Sequence, residues 1–145
     1  MSFPPVNRLT TAKLATWFRE QVSSGASVVP GRVPSVPNRI VGIEMQAGPG
    51  IRFDSLFDVV GVRITCRGAE NNQSDAEAIA LDVDDVILNC EDNFEIGEVG
   101  DSVWVNGMGR TGGGPTQSSI PDSDSRWTYT CSYFISVSTN VGKVN

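Results

Sequence analysis

A single α+β domain is what the spacing of apolar residues predicts for this chain of 145 residues. Two stretches, 10–24 and 74–90, repeat apolar side chains at the spacing of a helix face, and four others alternate them at period two. The clearest alternation lies at 126–138. Since the helices are separate from the antiparallel strand pairs, we predict a mostly antiparallel sheet with two helices packed on one face, in the order helix, strand, strand, helix, strand, strand.

The first helix is predicted to begin at a cap formed by Thr10 or Thr11 and to run to about Ser24. Gly25 follows, and glycine is common just after a helix. One apolar stripe at i, i+3, i+4 and i+8 should pack on the sheet. The stripe consists of Leu14, Trp17, Phe18 and Val22.

The segment 28–37 contains three prolines, which exclude a central strand or a helix. We therefore predict an extended, flexible connection. Two interpretations stay open at this point. The segment is either a plain loop or an arm that contacts a partner through Val33 and Val36, whose apolar side chains have no evident place in the core.

Strands at 39–46 and 58–67 are predicted to form a hairpin with a long connection. The second helix should begin with a capping box, Ser74-Asp75-Ala76-Glu77, in which the first and last side chains satisfy each other's backbone amides. The apolar spacing of this helix then continues to Cys90. On its outer side we expect three solvated carboxylates, namely Asp82, Asp84 and Asp85.

A polar, glycine-rich loop at 109–125 is predicted to join a short strand at 102–108 to the long final strand. The loop is longer than a hairpin needs, and such loops are often either functional or disordered. Both interpretations stay open. The interface candidates in this loop are Arg110, Gly112, Gly113, Gly114, Ile120 and Asp124.

The composition argues against an enzyme, because the chain has no histidine and only two lysines to serve as a base. The pattern G-x-G-x-x-G at 107–112 has no helix after it, so we expect no nucleotide cofactor. The cysteines Cys66, Cys90 and Cys131 are widely spaced and fit neither a disulfide framework nor a zinc site. We therefore predict no catalytic residues, no cofactor and no metal.

The charge balance disfavours tight binding to nucleic acid, since 17 acidic and 11 basic residues give a net charge of −6. The first five residues lack the basic and apolar regions of a signal peptide. No apolar stretch approaches the length of about 20 residues that spans a bilayer. We therefore expect a soluble protein that is made in the cytoplasm and does not bind membranes.

Three stretches in this order resemble the tail terminator proteins of long-tailed bacteriophages, also called minor capsid or tail completion proteins. They are the strand Val60–Gly68 (VGVRITCRG), the helix 76–90, and the glycine and proline loop that leads into Trp127–Val137. The resemblance extends over the whole chain in its order of elements. It rests on patterns rather than on invariant residues.

The resemblance implies a structural virion protein that forms a homohexameric ring at the head-proximal end of the tail tube. Such a ring would stop tube polymerisation and provide the surface for joining the head, with the loop 109–125 directed at the tube or the neck. Its partners would be further copies of the chain, the tail tube protein and the head–tail connector, and DNA would pass without tight binding. Assembly would take place in the host cytoplasm. Two alternatives stay open: another head–tail connector or neck protein, and a small cytoplasmic ligand-binding domain.

Overall fold

The computed structural model describes residues 7–51, 57–118 and 120–138, with the side chains of 47–51 and 57 left out. The first five residues, where we predict no signal peptide, lie outside this part of the chain. The helices are α1 (Thr11–Gln21) and α2 (Gln73–Asn89), and the strands are β1 (Ser27–Pro30), β2 (Ile40–Ile51), β3 (Phe57–Arg67), β4 (Phe94–Ile96), β5 (Val103–Arg110), β6 (Thr116–Gln117) and β7 (Thr128–Ser138).

All of these strands belong to one sheet in the order β1-β2-β3-β7-β5-β4, with β6 paired to β7. Among the described residues β1 and β2 are parallel, and the other neighbours are antiparallel. The α+β class is confirmed. The predicted order of elements is wrong because it omits β1, β4 and β6, which have four, three and two residues. Strands this short show no clear period in a sequence.

The three long strands β2, β3 and β7 form the middle of the sheet. β3 and β7 pair along their full lengths, from Phe57 opposite Ser138 to Arg67 opposite Thr128. β2 continues to Ile51, beyond the end predicted at residue 46, after a shift of register. The final strand is therefore flanked by neighbours on both of its edges, with β3 on one side and β5 and β6 on the other.

Both helices pack on one face of the sheet, because their buried residues form a single apolar cluster with the inward side chains of the strands. Along β7, half-buried and buried residues alternate without a break, as the sequence predicts. The opposite face of the sheet carries the polar half of this alternation. The largest fully buried side chains of the cluster are Tyr133, Phe18, Leu14, Ile43, Ile64, Ile79, Ile87, Ile96 and Ile135.

The helix ends confirm one predicted cap and correct another. The Thr10 side chain accepts from the Lys13 amide at 3.2 Å, as expected for an N-cap. For α2 the capping box is wrong, because the cap is Asn72, whose side chain accepts from the Asp75 amide at 3.0 Å. Ser74 lies inside the helix and donates to the same Asn72 oxygen. Neither helix in the described ranges is long and apolar enough to cross a membrane.

We expect Gly68→Ala to destabilise the fold by about 2 kcal/mol, because Gly68 directly follows β3 and lies against Ala76 in the first turn of α2. A Cβ atom at Gly68 would lie 2.5 Å from the backbone nitrogen of Ala76 and 2.8 Å from its Cα. Urea denaturation measures the loss. Gly112→Ala is the matched control, because a Cβ there meets no atom within 4 Å. Equal stability of the two variants would contradict the close helix–sheet contact.

Candidate functional site

The predicted interface residues fall into two separate places in the fold. Arg110 and the glycine triplet lie where β5 meets β6, midway along β7. The other candidates lie on two segments that we call the platform, namely residues 31–38 and 120–126. The structure therefore does not bring all the candidates together.

The glycine bulge, residues 111–115, interrupts the strand that pairs with β7. Arg110 pairs with Tyr133 before the bulge, and Thr116 pairs with Thr130 after it. Five residues therefore face only the two residues that lie between these partners on β7. The region 109–125 is consequently not one continuous loop, because β6 returns to the sheet in its middle.

Hydrogen bonds attach the bulge to β7. The amide of Thr111 donates to the carbonyl of Ser132 at 3.1 Å. The thiol of Cys131 lies 3.6 Å from the carbonyl of Gly113 and can donate to it. The guanidinium of Arg110 lies against Gly114, since a Cβ at Gly114 would be 3.3 Å from it. Glycine at this position therefore makes room for the arginine.

Arg110 does not point freely into solvent, because it forms an ion pair with the buried Asp84 of α2. Its Nε donates to Asp84 Oδ1 at 2.9 Å, and a second guanidinium nitrogen contacts Oδ2. The hydroxyl of Tyr133 donates to the same carboxylate at 3.0 Å. The solvated position predicted for Asp84 is thus wrong. The signal was available in the sequence, since Asp84 lies four residues after Ala80 and three before Ile87, both on the buried stripe.

The partners of Asp84 control its titration. Hydrogen bonding from the Arg110 guanidinium, with a further bond from the Tyr133 hydroxyl, holds the pKa of the Asp84 carboxyl below its ordinary value although burial opposes this. Burial raises the pKa of the Tyr133 hydroxyl, so the phenol stays protonated and can donate. Both carboxylate oxygens of Asp84 therefore accept hydrogen bonds, and the three groups link α2 to β5 and β7.

We expect acid to unfold the protein in a way that depends on Asp84. Because its pKa is lower in the folded than in the unfolded chain, its contribution is present above about pH 4 and is lost as the pH falls through the folded value. Asp75 acts in the same direction through its bond with Arg39. Urea titrations from pH 6 to pH 2 should show a steeper decline for the wild type than for Asp84→Asn. Parallel curves would contradict this assignment.

Arg126 fastens the two segments of the platform together. It is buried, and it donates to the carbonyl of Ser35 at 2.6 Å and to the side chain of Asn38 at 3.1 Å. The same guanidinium pairs with Asp122 at 2.9 Å and with Asp124 at 3.3 Å. One side chain therefore holds residues that are about 90 positions apart in the chain.

Arg67 at the end of β3 provides a second attachment. Its guanidinium donates to the carbonyls of Pro37 at 2.6 Å and Asn38 at 3.1 Å. Val33 packs over the sheet, since a Cβ at Gly42 would lie 2.9 Å from Cγ1 of Val33. The proline-rich segment is therefore docked on the polar face of the sheet, and Val33 is part of that docking. The sequence did not predict that Arg67 and Arg126 hold this segment, because their contacts with it join residues far apart in the chain.

The platform exposes two large apolar side chains. Val36 is 71% exposed and Ile120 is 74% exposed. Asp124 is also on the surface, where it pairs with Arg126. Of the platform residues predicted for an interface, Val36, Ile120 and Asp124 are accessible, and Val33 is half-buried.

Open clefts lie outside the platform in the described part of the chain. One, of about 460 Å³, lies on the polar face between β2, β3 and the glycine bulge and is lined by Gln46, Arg63, Thr116 and Ser132 among others. The second, of about 420 Å³, lies beside α1, where Lys13 pairs with Asp101 at 3.0 Å. No group of three or more metal-ligating side chains occurs among the residues that the structure describes.

No protein-family model matches this chain, and the search of curated proteins gives no significant match. A function is therefore proposed from the residues, the fold and the surface geometry.

Proposed function

We propose that this chain is a virion assembly protein that caps the head-proximal end of a phage tail tube, stops its polymerisation and provides the joining surface for the head. The observation that supports this role is the platform, where Val36 and Ile120 are exposed on segments held in place by Arg126. Large apolar side chains on a fixed surface are typical of a binding site for another protein.

The arginine contacts make the platform suitable for assembly. A loop that is ordered before binding loses less conformational entropy when a partner covers it, so more of the contact energy remains as affinity. Arg67 and Arg126 supply this order through bonds to the backbone of residues 35–38. Exposed apolar residues on a loop without such bonds would lose more conformational entropy when a partner binds.

In the proposed mechanism, copies of the chain contact one another head to tail and close into a hexameric ring. The ring binds the end of the tube as an incoming tube ring would and presents a different face to the head–tail connector. The glycine bulge with Arg110 is a candidate for the tube contact, since its backbone is exposed at Gly112 and Gly113. The net charge of −6 fits a ring that lets DNA pass without holding it.

A small-ligand-binding domain is the second candidate, and the polar cleft of about 460 Å³ beside Arg63 favours it. The two candidates predict different behaviour of the purified protein. A ligand-binding domain should stay monomeric and gain thermal stability from a small molecule. A terminator, like another neck protein, should self-associate and should gain no thermal stability from a small molecule.

Light scattering and negative-stain microscopy of the purified chain, alone and with isolated tail tubes, test the proposal. We expect rings at high concentration and caps on tube ends for the wild type, and neither for Ile120→Glu. Val99→Glu is the matched control, because Val99 is at least as exposed but lies outside the platform. A wild type that remains monomeric and leaves tube ends bare would contradict the proposed function.

A further inference from the structure

We propose that the platform of one copy is covered by the exposed stripe of α2 of the next copy. The stripe consists of Ala78, Leu81, Asp85 and Leu88. This inference rests on the proposed function, since it names the two surfaces through which the ring would close.

The stripe is a continuous strip on the outer side of α2. Leu81 is 47% exposed and Leu88 is 50% exposed, although the helix buries its other face against the sheet. Seven residues are about two helical turns, so the two leucines lie above one another. Ala78 and Asp85, both exposed, are three or four positions from Leu81 and belong to the same side.

The distribution of exposed apolar residues favours a contact between two different surfaces. Among the described residues, the large exposed apolar side chains fall into two pairs and a single one. Val36 and Ile120 lie on the platform, Leu81 and Leu88 lie on the stripe, and Val99 stands apart. A closed ring of identical subunits needs two distinct and complementary surfaces on every copy, whereas a two-fold dimer needs only one.

Among the described residues, each surface also carries one unpaired charge, and the two charges are opposite in sign. Asp85 lies between the leucines of the stripe, and Arg32 lies on the platform segment that also bears Val36. Both side chains are exposed, and neither has an ion-pair partner within the described part of the chain. A contact between copies would pair them and would offset part of the repulsion between chains of net charge −6.

The chemistry of the stripe favours a second copy over other occupants. The two leucines on one helix side match the two exposed apolar side chains of the platform, and the single acid of the stripe matches Arg32, the unpaired arginine of the platform. The platform of one copy therefore contacts the stripe of the next copy of this chain. Binding of the platform to tail tube protein instead is an outcome that the test can reveal.

Exchange of the two charges tests the contact. Arg32→Glu and Asp85→Arg should each weaken self-association at least about tenfold, because each opposes like charges across the interface. An equal mixture of the two variants should assemble again. In alternating copies, the introduced glutamate would meet the introduced arginine at one contact, and the native Arg32 and Asp85 would meet at the next. Sedimentation at several protein concentrations, with Arg8→Glu as the control, measures this.

Leucine substitution provides an independent measurement. Leu81→Glu should weaken association by at least about thirtyfold while Val99→Glu leaves it unchanged, with thermal melts confirming that both variants fold. If the charge and leucine variants assemble like the wild type while Ile120→Glu does not, the stripe is not the occupant and the proposed function still stands. If no variant and no wild-type sample associates or caps tubes, both proposals are overturned. Assembly of each charge variant alone, or no recovery in the mixture, contradicts the Arg32–Asp85 pairing.

Discussion

Replacing Asp84 with alanine is expected to lower the free energy of unfolding by about 3 kcal/mol. The change leaves the buried Tyr133 hydroxyl without its acceptor and removes the carboxylate that holds Arg110. The guanidinium of Arg110 is partly exposed and can turn into water, which keeps the loss at the lower end for a buried pair. Urea denaturation of the dilute, monomeric protein measures it.

Two further variants separate the causes of that loss. Asp84→Asn keeps an acceptor for Tyr133 but removes the charge, so we expect it to lose less stability than the alanine variant. Asp85→Ala, at the next and exposed position of the same helix, should change stability by less than about 0.5 kcal/mol. Hydrogen exchange at the Thr111 amide should accelerate in Asp84→Ala, because Arg110 no longer holds the bulge. If Asp84→Ala and Asp85→Ala have the same stability, the buried ion pair has no structural role.

Replacing Arg126 with alanine is expected to cost about 3 kcal/mol and to release the platform. The buried guanidinium pairs with Asp122 and Asp124 and donates to Ser35 and Asn38, and all of these partners lose their bond together. Limited proteolysis should then cut within 31–38 or 120–126 at protease concentrations that leave the wild type intact. The self-association that we propose should fall as well, because Val36 and Ile120 are no longer held in place.

Arg8→Ala is the control for Arg126→Ala, since Arg8 is exposed near the start of α1. Its free energy of unfolding should match that of the wild type within about 0.5 kcal/mol. It should also resist protease at the same concentrations as the wild type. A stable Arg126→Ala variant that resists protease would show that the platform is ordered without its arginine. Arg126 would then not preorganise the platform, although the exposure of Val36 and Ile120 would remain.

Patterns of local periodicity were sufficient to predict the main elements. The alternation of β7 follows from the sequence because each step of a strand reverses the side chain, and Tyr133 and Ile135 are buried as expected. Phe134 is the one large apolar residue on the polar side of β7, and the neighbouring strand accommodates it. A Cβ at Gly109 would lie 2.8 Å from its ring, so the glycine of the neighbouring strand accommodates the phenyl group.

The candidate site was less predictable, because its geometry depends on contacts between distant parts of the chain. The docking of the proline-rich segment requires Arg67 and Arg126, which lie about 30 and 90 positions away from their partners. Asp84 was misplaced because a carboxylate on a helix is usually solvated, and its partners Arg110 and Tyr133 lie far along the chain on β5 and β7. The exposure of Ile120 agrees with its isolation among polar residues, and the exposure of Val36 agrees with the absence of an evident place for it in the core.

The most direct test of the terminator proposal is the length of phage tails when this gene is suppressed during infection. Negative-stain micrographs of the lysate should show overlong tubes without heads, and supply of the wild-type or Val99→Glu protein should restore normal tails whereas Ile120→Glu should not. Tails of normal length beside filled, unattached heads would contradict the claim of length control and would assign the protein to the neck.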